Sequence, residues 1–149
     1  MVFYITTPLF YVNDLPHIGS AYPTIACDFF AGHMLQRGEE VAFLTGTDEH
    51  GQKIEKAAKE ASKTPIEHCD YIADEFQKLW EILGINYDYF VRTSNQEHYK
   101  FVTEFFKKVE ANGDIYKGKY NGLYCSHCED FWLEKDLKED GDKLLCPTH

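Results

Sequence analysis

Two stretches of this chain decide its fold: Tyr11-Val12-Asn13-Asp14-Leu15-Pro16-His17-Ile18-Gly19-Ser20 and Phe43-Leu44-Thr45-Gly46-Thr47-Asp48-Glu49-His50-Gly51. Each stretch follows or contains an apolar run typical of a strand, and each leads into a sequence with helical spacing. The polar groups and glycines between them should therefore lie at the carboxyl edge of a parallel sheet. Nucleotides bind at that edge in open α/β sheets, so the pattern indicates a nucleotide-binding fold.

The first stretch predicts a strand, a loop and a helix in succession. Val2-Phe3-Tyr4-Ile5 is a short β-branched and aromatic run, and the prolines and Asn/Asp residues after it exclude regular structure until His17. A helix should begin near Ile18 and end at Gly38. The apolar residues that recur at helical spacing within it are Ile25, Phe29, Phe30, Met34 and Leu35.

His17 and Gly19 should lie in the first turn of this helix, where unpaired backbone N–H groups and the helix dipole favour a phosphate. Gly19 has no side chain to hold a ligand away, and His17 can donate a hydrogen bond to a phosphoryl oxygen. The pair indicates a site for charge that develops during phosphoryl or nucleotidyl transfer. The alternative is an ordinary capping histidine beside a packing glycine, because short motifs often match by accident.

The alternation of strands and helices continues after this helix. The predicted elements are a buried strand at 41–45, helices at 53–63, 65–83 and 95–112, and a short strand at 88–92. Alternation of this kind favours parallel pairing, so the fold class is predicted to be α/β and doubly wound. Two of the helices carry apolar stripes: Ile66, Cys69, Ile72, Ala73, Phe76, Leu79, Trp80 and Leu83 in one, and Phe101, Val102, Phe105, Phe106 and Val109 in the other.

Pro16-His17-Ile18-Gly19-Ser20 resembles the HIGH signature of class I aminoacyl-tRNA synthetases. The segments 7–13, 43–51, 87–93 and 113–116, together with the cysteine region, are similar to the methionyl-tRNA synthetase family. This resemblance covers nearly the whole chain. It implies an α/β fold that is the first half of a Rossmann-like nucleotide-binding fold with a parallel sheet, followed by the start of a zinc-binding insertion. The implied domains are residues 1–116 and 117–149, and residues 117–124 are predicted to form the strand that leads into the insertion.

The resemblance implies the activity of a methionine–tRNA ligase. In that reaction the carboxylate of methionine attacks the α-phosphorus of ATP, with Mg²⁺ on the phosphates, and the methionyl group of the adenylate then passes to tRNA(Met). His17, Gly19 and Ser20 match the catalytic signature. Ser20 departs from it, because a second histidine usually stands there, and a serine hydroxyl can bind a phosphate but cannot carry a positive charge.

The same resemblance implies a methionine-binding site at Pro8, Leu9, Tyr11 and Asp48. Leu9 and Tyr11 match the pocket for the methionine side chain, and a thioether suits apolar and aromatic walls. Asp48 matches the carboxylate that takes the ammonium group of the substrate, which needs an anionic partner when buried. Core packing for Tyr11 and a helix cap for Asp48 are the alternatives.

Cys125-Ser126-His127-Cys128 and Cys146-Pro147-Thr148-His149 are two short pairs of metal ligands with seventeen residues between them. This pattern is typical of a closed structural zinc site, with Cys125, Cys128, Cys146 and His149 as the predicted ligands of a Zn²⁺ ion. His127 is a rival ligand. Thiols without a metal leave the paired spacing unexplained. The other two cysteines, Cys27 and Cys69, lie on apolar helix faces and should be buried.

Composition limits the class of protein. The chain has 149 residues, 44% apolar and 15% aromatic, which is enough for one substantial core. No segment approaches the roughly 18 apolar residues of a membrane helix, and the first residues lack the pattern of a signal peptide. We therefore expect a cytoplasmic protein with no membrane partner. A net charge of −10 also opposes non-specific binding to nucleic acid, so DNA is not an expected partner.

That charge conflicts with a tRNA partner, and the resemblance suggests why. The family implies a protein several times longer, with a KMSKS-type loop and an anticodon-binding region, so this sequence is expected to be an N-terminal piece of the enzyme. The alternative function is a non-catalytic zinc-containing fragment that acts as a binding or assembly module. A smaller nucleotidyltransferase is a third class, but it would not need the Asp48 loop or the cysteine pairs.

Overall fold

The structure is a computed structural model that describes residues 1–141 and 143–148. The chain divides into two compact units, Met1–Phe105 and Phe106–His149. The boundary predicted between residues 116 and 117 lies further along the chain and stays a prediction.

The first unit is built on a four-stranded parallel sheet. Its strands are β1 (Phe3–Thr6), β2 (Phe10–Tyr11), β3 (Val41–Asp48) and β4 (Tyr89–Arg92). The central strand β3 pairs with β1 along its first half and with β2 at its end, while β4 pairs with the opposite edge. The predicted α/β class with parallel pairing is therefore confirmed, and the carboxyl ends of β2, β3 and β4 meet at one edge.

Three helices pack within this unit and a fourth extends across its boundary: α1 (Ile18–Gln36), α2 (Gln52–Glu60), α3 (Pro65–Leu83) and α4 (Gln96–Ala111). Helix α3 has the predicted bounds because its caps are local. Thr64 and Glu67 form a capping box, and Gly84 ends the helix in the left-handed region at φ 70°. Helix α2 ends earlier than predicted, at Glu60, and Ser62 follows with φ 55°.

The core lies between the sheet and α3. Its largest fully buried side chains include Phe43 of β3 and Trp80 of α3, and Phe10 stacks on Phe76 with ring centroids 5.4 Å apart. Cys69 is buried in this core, as predicted. Cys27 is half-buried against it, with Sγ 3.7 Å from the carbonyl oxygen of Thr6.

The apolar pattern of α1 predicts the helix correctly but not its buried face. Its buried residues are small, Ser20, Ala21, Thr24 and Ala31, because small side chains let the helix lie close to the sheet. The large residues that revealed the pattern are mostly exposed: Ile25, Phe29, Phe30 and Leu35. The stripe of α4 is similar, since none of the residues of that helix is buried.

The second unit contains two antiparallel hairpins. One joins β5 (Leu123–Cys125) to β6 (Asp130–Trp132), and the other joins β7 (Lys138–Asp140) to β8 (Lys143–Leu145). The strand predicted at 117–124 is wrong for residues 117–122, which have no regular structure. Gly118 and Gly122 interrupt the apolar pattern there, and glycine weakens strands. Across the described residues, no helix combines the length and the apolar character that crossing a membrane requires.

Candidate functional site

Tyr11 and Asp48 lie side by side at the carboxyl edge of the sheet. They are register partners on the parallel strands β2 and β3. Tyr11 is 46% exposed, which excludes simple core packing, and the Nζ of Lys53 lies 5.8 Å from its ring centroid. Helix α2 begins after Gly51 without a side-chain cap, so Asp48 is not its cap. Both residues therefore present polar groups at the edge where the sequence predicts a ligand.

His17 is the N-cap of α1. The backbone N–H of Gly19 donates to Nδ1 of His17 over 3.0 Å. Because Nδ1 accepts a hydrogen bond, the proton of the neutral ring is on Nε2. The side chain is exposed. His17 thus combines the capping role, offered above as the alternative, with an N–H that can donate to a ligand.

Ser20 forms the second half of this cap. The backbone N–H of His17 donates to the Ser20 Oγ over 3.1 Å, and the Ser20 hydroxyl donates to the carbonyl oxygen of His17 over 2.8 Å. Ser20 is 5% exposed. Its hydroxyl therefore holds the first turn of α1 together, and a direct contact from it to a phosphate stays a prediction.

Gly19 is required by the His17 ring. A Cβ added at Gly19 would lie 2.7 Å from Cε1 and 3.0 Å from Nδ1 of His17. Any larger residue would push the imidazole off the end of the helix. Glycine is therefore needed here to leave room for the histidine. The sequence also predicts that the missing side chain lets a ligand approach the helix, and this stays a prediction.

A cavity of about 360 Å³ brings several of these residues together. Tyr11 lines one part of it and His17, Gly19 and Ser20 line another, with Phe10 and Phe76 among its apolar residues. Apolar pockets with a few convergent polar groups are typical of small-molecule sites.

Pro8 and Leu9 lie in the connection between β1 and β2, outside the lining of this cavity. Pro8 is exposed and Leu9 is half-buried. The buried Thr7 hydroxyl donates to the carbonyl oxygen of Pro8 over 2.8 Å and lies 2.8 Å from the Thr45 hydroxyl. These bonds fix the connection to β3, next to the position of Tyr11.

Sequence reasoning missed a buried ionic network next to Asp48. The Glu49 side chain is fully buried, and its Oε1 accepts hydrogen bonds from Nε of Arg92 and from the hydroxyl of Thr47, over 2.7 Å and 2.6 Å. Its Oε2 accepts from Arg92 Nη2 over 3.1 Å and from the Ser94 hydroxyl. Hydrogen bonds from Arg92 to Glu49 raise the pKa of the guanidinium, which therefore stays protonated.

The network extends to neighbouring segments. Arg92 also pairs with Asp70 of α3 over 2.7 Å, and the backbone N–H of Glu49 donates to the Thr93 hydroxyl over 2.8 Å. Burial next to Glu49 raises the pKa of Cys69 to about 11, which keeps that thiol protonated. The sequence offered one signal of this pair: an acidic residue directly follows one buried strand, and an arginine stands at the end of another.

Two histidines connect segments of the chain at the carboxyl edge of the sheet. His50 bridges the hydroxyls of Thr93 and Tyr99, each 3.1 Å from one ring nitrogen. His68 of α3 is buried, and its Nε2 lies 2.9 Å from the carbonyl oxygen of Val12, the residue after Tyr11. His68 was also missed, because its partner is 56 residues away in the sequence.

The second unit contains a cluster of cysteine sulfurs. The Sγ atoms of Cys125, Cys128 and Cys146 all lie within 4.8 Å of one another. Those of Cys128 and Cys146 are 3.5 Å apart, too far for a disulfide, whose bond is about 2.05 Å. Among the described residues, His127 does not join this cluster. The predicted fourth ligand, His149, lies outside the described residues.

The pKa values of two thiols in the cluster shift in opposite directions. A hydrogen bond from Thr148 lowers the pKa of Cys128, but burial and the hydrogen bonds with Cys146 and Cys125 outweigh it and raise this pKa overall. Burial raises the pKa of Cys146, but hydrogen bonds from Thr148 and the neighbouring thiols outweigh it and lower this pKa to about 7. Thr148 Oγ1 lies 3.0 Å from the sulfurs of both Cys146 and Cys128. A thiolate is the ligand form of cysteine, so the group can hold a metal ion.

Comparisons with known proteins identify relatives over nearly the whole chain. The family model for class I (M) tRNA synthetases matches residues 3–148. Methionine–tRNA ligase of Thermotoga maritima is 52% identical over 147 residues, which are 99% of this chain and 23% of that protein. The enzyme of Thermosynechococcus vestitus is 53% identical over 147 residues, 99% of this chain and 27% of that protein. The chain thus spans about a quarter of the length of these curated relatives.

A solved structure shares the fold. The crystal structure of Mycobacterium tuberculosis methionyl-tRNA synthetase bound by methionyl-adenylate matches with a TM-score of 0.92 and 35% sequence identity. The match covers 99% of this chain and 29% of that one. The parallel sheet and its flanking helices therefore have the arrangement of that protein.

Proposed function

Because this chain belongs to the class I (M) family of tRNA synthetases, we propose that it forms part of a methionine–tRNA ligase. The enzyme activates methionine with ATP to methionyl adenylate and transfers the methionyl group to tRNA(Met). The observation that carries this proposal is the cavity that joins Tyr11 to the His17 cap, next to Asp48. The proposed location is the cytoplasm.

His17 acts on the phosphate. Its Nε2–H donates to an oxygen of the α-phosphoryl group, where negative charge increases as the methionine carboxylate attacks. The bond from Gly19 to Nδ1 fixes the ring, so that the donor needs no reorganisation during the reaction. The N-terminus of α1 contributes its positive dipole to the same charge. Mg²⁺ bound to the phosphates of ATP would neutralise part of their charge.

Methionine binds at the edge formed by β2 and β3. Tyr11 and Leu9, with Pro8 beside them, supply apolar walls for the thioether. Asp48 supplies the carboxylate for the ammonium group. Within the described residues no hydrogen bond or ion pair engages the Asp48 side chain, which supports a role toward a ligand.

The cysteine cluster fits a structural Zn²⁺ ion. Zinc binds thiolates at about 2.3 Å, so two sulfurs of a tetrahedral site lie about 3.8 Å apart. The sulfurs of Cys125, Cys128 and Cys146 all lie within 4.8 Å of one another, and those of Cys128 and Cys146 are 3.5 Å apart, so the cluster is compact enough for such a site. We propose His149 as the fourth ligand, which closes the site, and a closed site stabilises its lobe rather than taking part in the reaction.

The test of the proposed function is methionine-dependent ATP–pyrophosphate exchange. It is measured on this zinc-loaded chain and on a chain extended to the length of the relatives. We expect exchange in the extended chain that requires methionine. If neither chain catalyses exchange although both are folded, the ligase proposal is wrong, and the binding or assembly module becomes the better reading.

Replacing Asp48 with alanine should weaken methionine binding while leaving ATP binding nearly intact. The ammonium group loses its charged partner, and a hydrogen-bonded charge is worth about 1.5–3 kcal/mol, which is about 10- to 150-fold in affinity. The KM for methionine and the KM for ATP in the exchange reaction measure this in the extended chain. A rise in the KM for ATP with an unchanged KM for methionine would contradict the role of Asp48.

Replacing Ser20 with alanine distinguishes its two roles. A phosphate contact predicts that adenylate formation slows more than methionine binding weakens. A role in the cap alone predicts that the free energy of unfolding falls by about 1 kcal/mol, while the rate of adenylate formation and the affinity for methionine stay unchanged. Thermal unfolding and single-turnover adenylate formation are therefore measured on the same variant, and equal effects on rate and binding would rule out the phosphate contact.

Chelation of zinc should loosen the second unit and leave the first folded. A unit as short as Phe106–His149 has too little core of its own, so its folding depends on the metal. Hydrogen exchange resolved by segment is the measurement, with protection expected to fall in 123–145 and to persist in β3 and α3. A Cys125→Ser variant should show the same pattern without chelator, whereas simultaneous loss of protection in both units would contradict the prediction.

A further inference from the structure

Asp48 and Glu49 are adjacent carboxylates with opposite environments. Asp48 is half-buried at the sheet edge beside Tyr11, whereas the side chain of Glu49 is fully buried. Side chains alternate across a strand, and the Thr47 hydroxyl donates to Glu49 Oε1, so Thr47 and Glu49 share one face of β3 and its continuation. Asp48 therefore belongs to the opposite face.

The bonds of Glu49 fasten the end of β3 to two other elements. Arg92 reaches both carboxylate oxygens of Glu49 from the end of β4, and the same guanidinium pairs with Asp70 on α3. The backbone N–H of Glu49 is held by Thr93 over 2.8 Å. The residue after Asp48 is thus fixed through its side chain and its backbone.

The network also separates the charges of the two neighbours. Two unpaired carboxylates at one edge would repel each other and would both attract a cation. Arg92 neutralises Glu49 with two hydrogen bonds, the geometry that makes such pairs strong. Asp48 is left to face a cationic group at the edge.

We propose that Glu49 is a positioning residue, which Arg92, Ser94 and Thr47 hold in place so that the carboxylate of Asp48 meets the ammonium group of the amino-acid substrate. This proposal rests on the proposed function. Glu49 touches no substrate. It acts through the backbone of its neighbour, and its replacement should affect recognition of the ammonium group in particular.

The test compares two ligands that differ by that group, methionine and 4-(methylsulfanyl)butanoate, which lacks the amine. Their affinities are measured by calorimetry on the enzyme extended to the length of the relatives. In Glu49→Ala we expect methionine to bind about 10- to 100-fold more weakly, because small misplacements have effects of this size. The affinity of this variant for the analogue should stay within about twofold of that of the unaltered enzyme, which is a much smaller change than the one expected for methionine.

Further variants separate positioning from folding. Arg92→Met should have the same selective effect, and Glu49→Ala with Arg92→Met should be no worse than either change by itself, because the two residues act as a unit. Glu49→Gln keeps the shape of the side chain, and it replaces Glu49→Ala in the test if the alanine variant does not fold.

Asp88→Asn is the matched control, since Asp88 anchors the other end of β3 by accepting a hydrogen bond from the backbone N–H of Phe43 over 2.8 Å. It should leave both affinities unchanged.

The outcomes distinguish this proposal from the proposed function. If Asp48→Ala selectively weakens methionine but Glu49→Ala weakens both ligands equally or neither, the positioning role is overturned and the function stands. If the unaltered enzyme does not prefer methionine over the analogue, or Asp48→Ala affects both equally, the assignment of Asp48 itself fails.

Discussion

Replacing Gly46 with alanine is expected to destabilise the first unit strongly. Gly46 lies in the middle of the sheet, opposite Val91 in the register of β3 and β4. A Cβ at this position would lie 1.9 Å from the carbonyl oxygen of Val91 and 2.8 Å from its backbone nitrogen. The obstacle is backbone, so it cannot rotate away as a side chain can, and the two strands would have to separate.

The expected loss is about 3 kcal/mol or more, the upper end for overpacked positions. For a unit of this size that lowers the midpoint of thermal unfolding by about 12 °C or more. Circular dichroism during heating measures it. Separation of the two strands would also displace Arg92, which follows Val91, and would disrupt the network that holds Glu49.

Gly32→Ala is the matched control. Gly32 lies inside α1, and a Cβ there meets no atom within 4 Å. Alanine favours a helix over glycine by about 1 kcal/mol, so this variant should be as stable as the original or more so. An unfolding midpoint for Gly46→Ala equal to that of Gly32→Ala would show that the strands adapt, and the argument from close approach would be wrong.

The elements that sequence predicts well are those specified by neighbours in the chain. Helix α3 has its predicted bounds because Thr64, Glu67 and Gly84 form caps with residues a few positions away. The parallel sheet follows from the alternation of apolar runs and helical patterns. The His17 cap is equally local, since its partners are Gly19 and Ser20.

Features that depend on distant partners were not predicted. Glu49 and Arg92 are 43 residues apart, and nothing near either one indicates that the other neutralises it. The buried face of α1 was not predicted for a different reason. Helical periodicity detects apolar residues, but the sheet selects Ala21, Thr24 and Ala31 for their small size, which periodicity does not measure.

Replacing His17 with alanine should slow adenylate formation by about 100- to 1000-fold, the effect of removing one preorganised donor to developing charge. The change removes two things at once: the Nε2–H that we propose donates to the phosphate and the Nδ1 acceptor that caps α1. Loss of the cap by itself destabilises a helix by about 1 kcal/mol. A fall in rate from His17→Ala therefore needs a variant that separates the two.

His17→Asn provides that separation. Asparagine is a preferred N-cap, so stability should return close to the original, but its shorter side chain places no donor where Nε2 stood. We expect the exchange rate of His17→Asn to stay as low as that of His17→Ala while its unfolding midpoint recovers. The exchange rate of Gly19→Ala should fall between that of His17→Ala and that of the unaltered enzyme, because a Cβ 2.7 Å from Cε1 displaces the ring without removing it. Recovery of rate together with stability in His17→Asn would mean that the histidine serves the helix and that the phosphate is held by other groups.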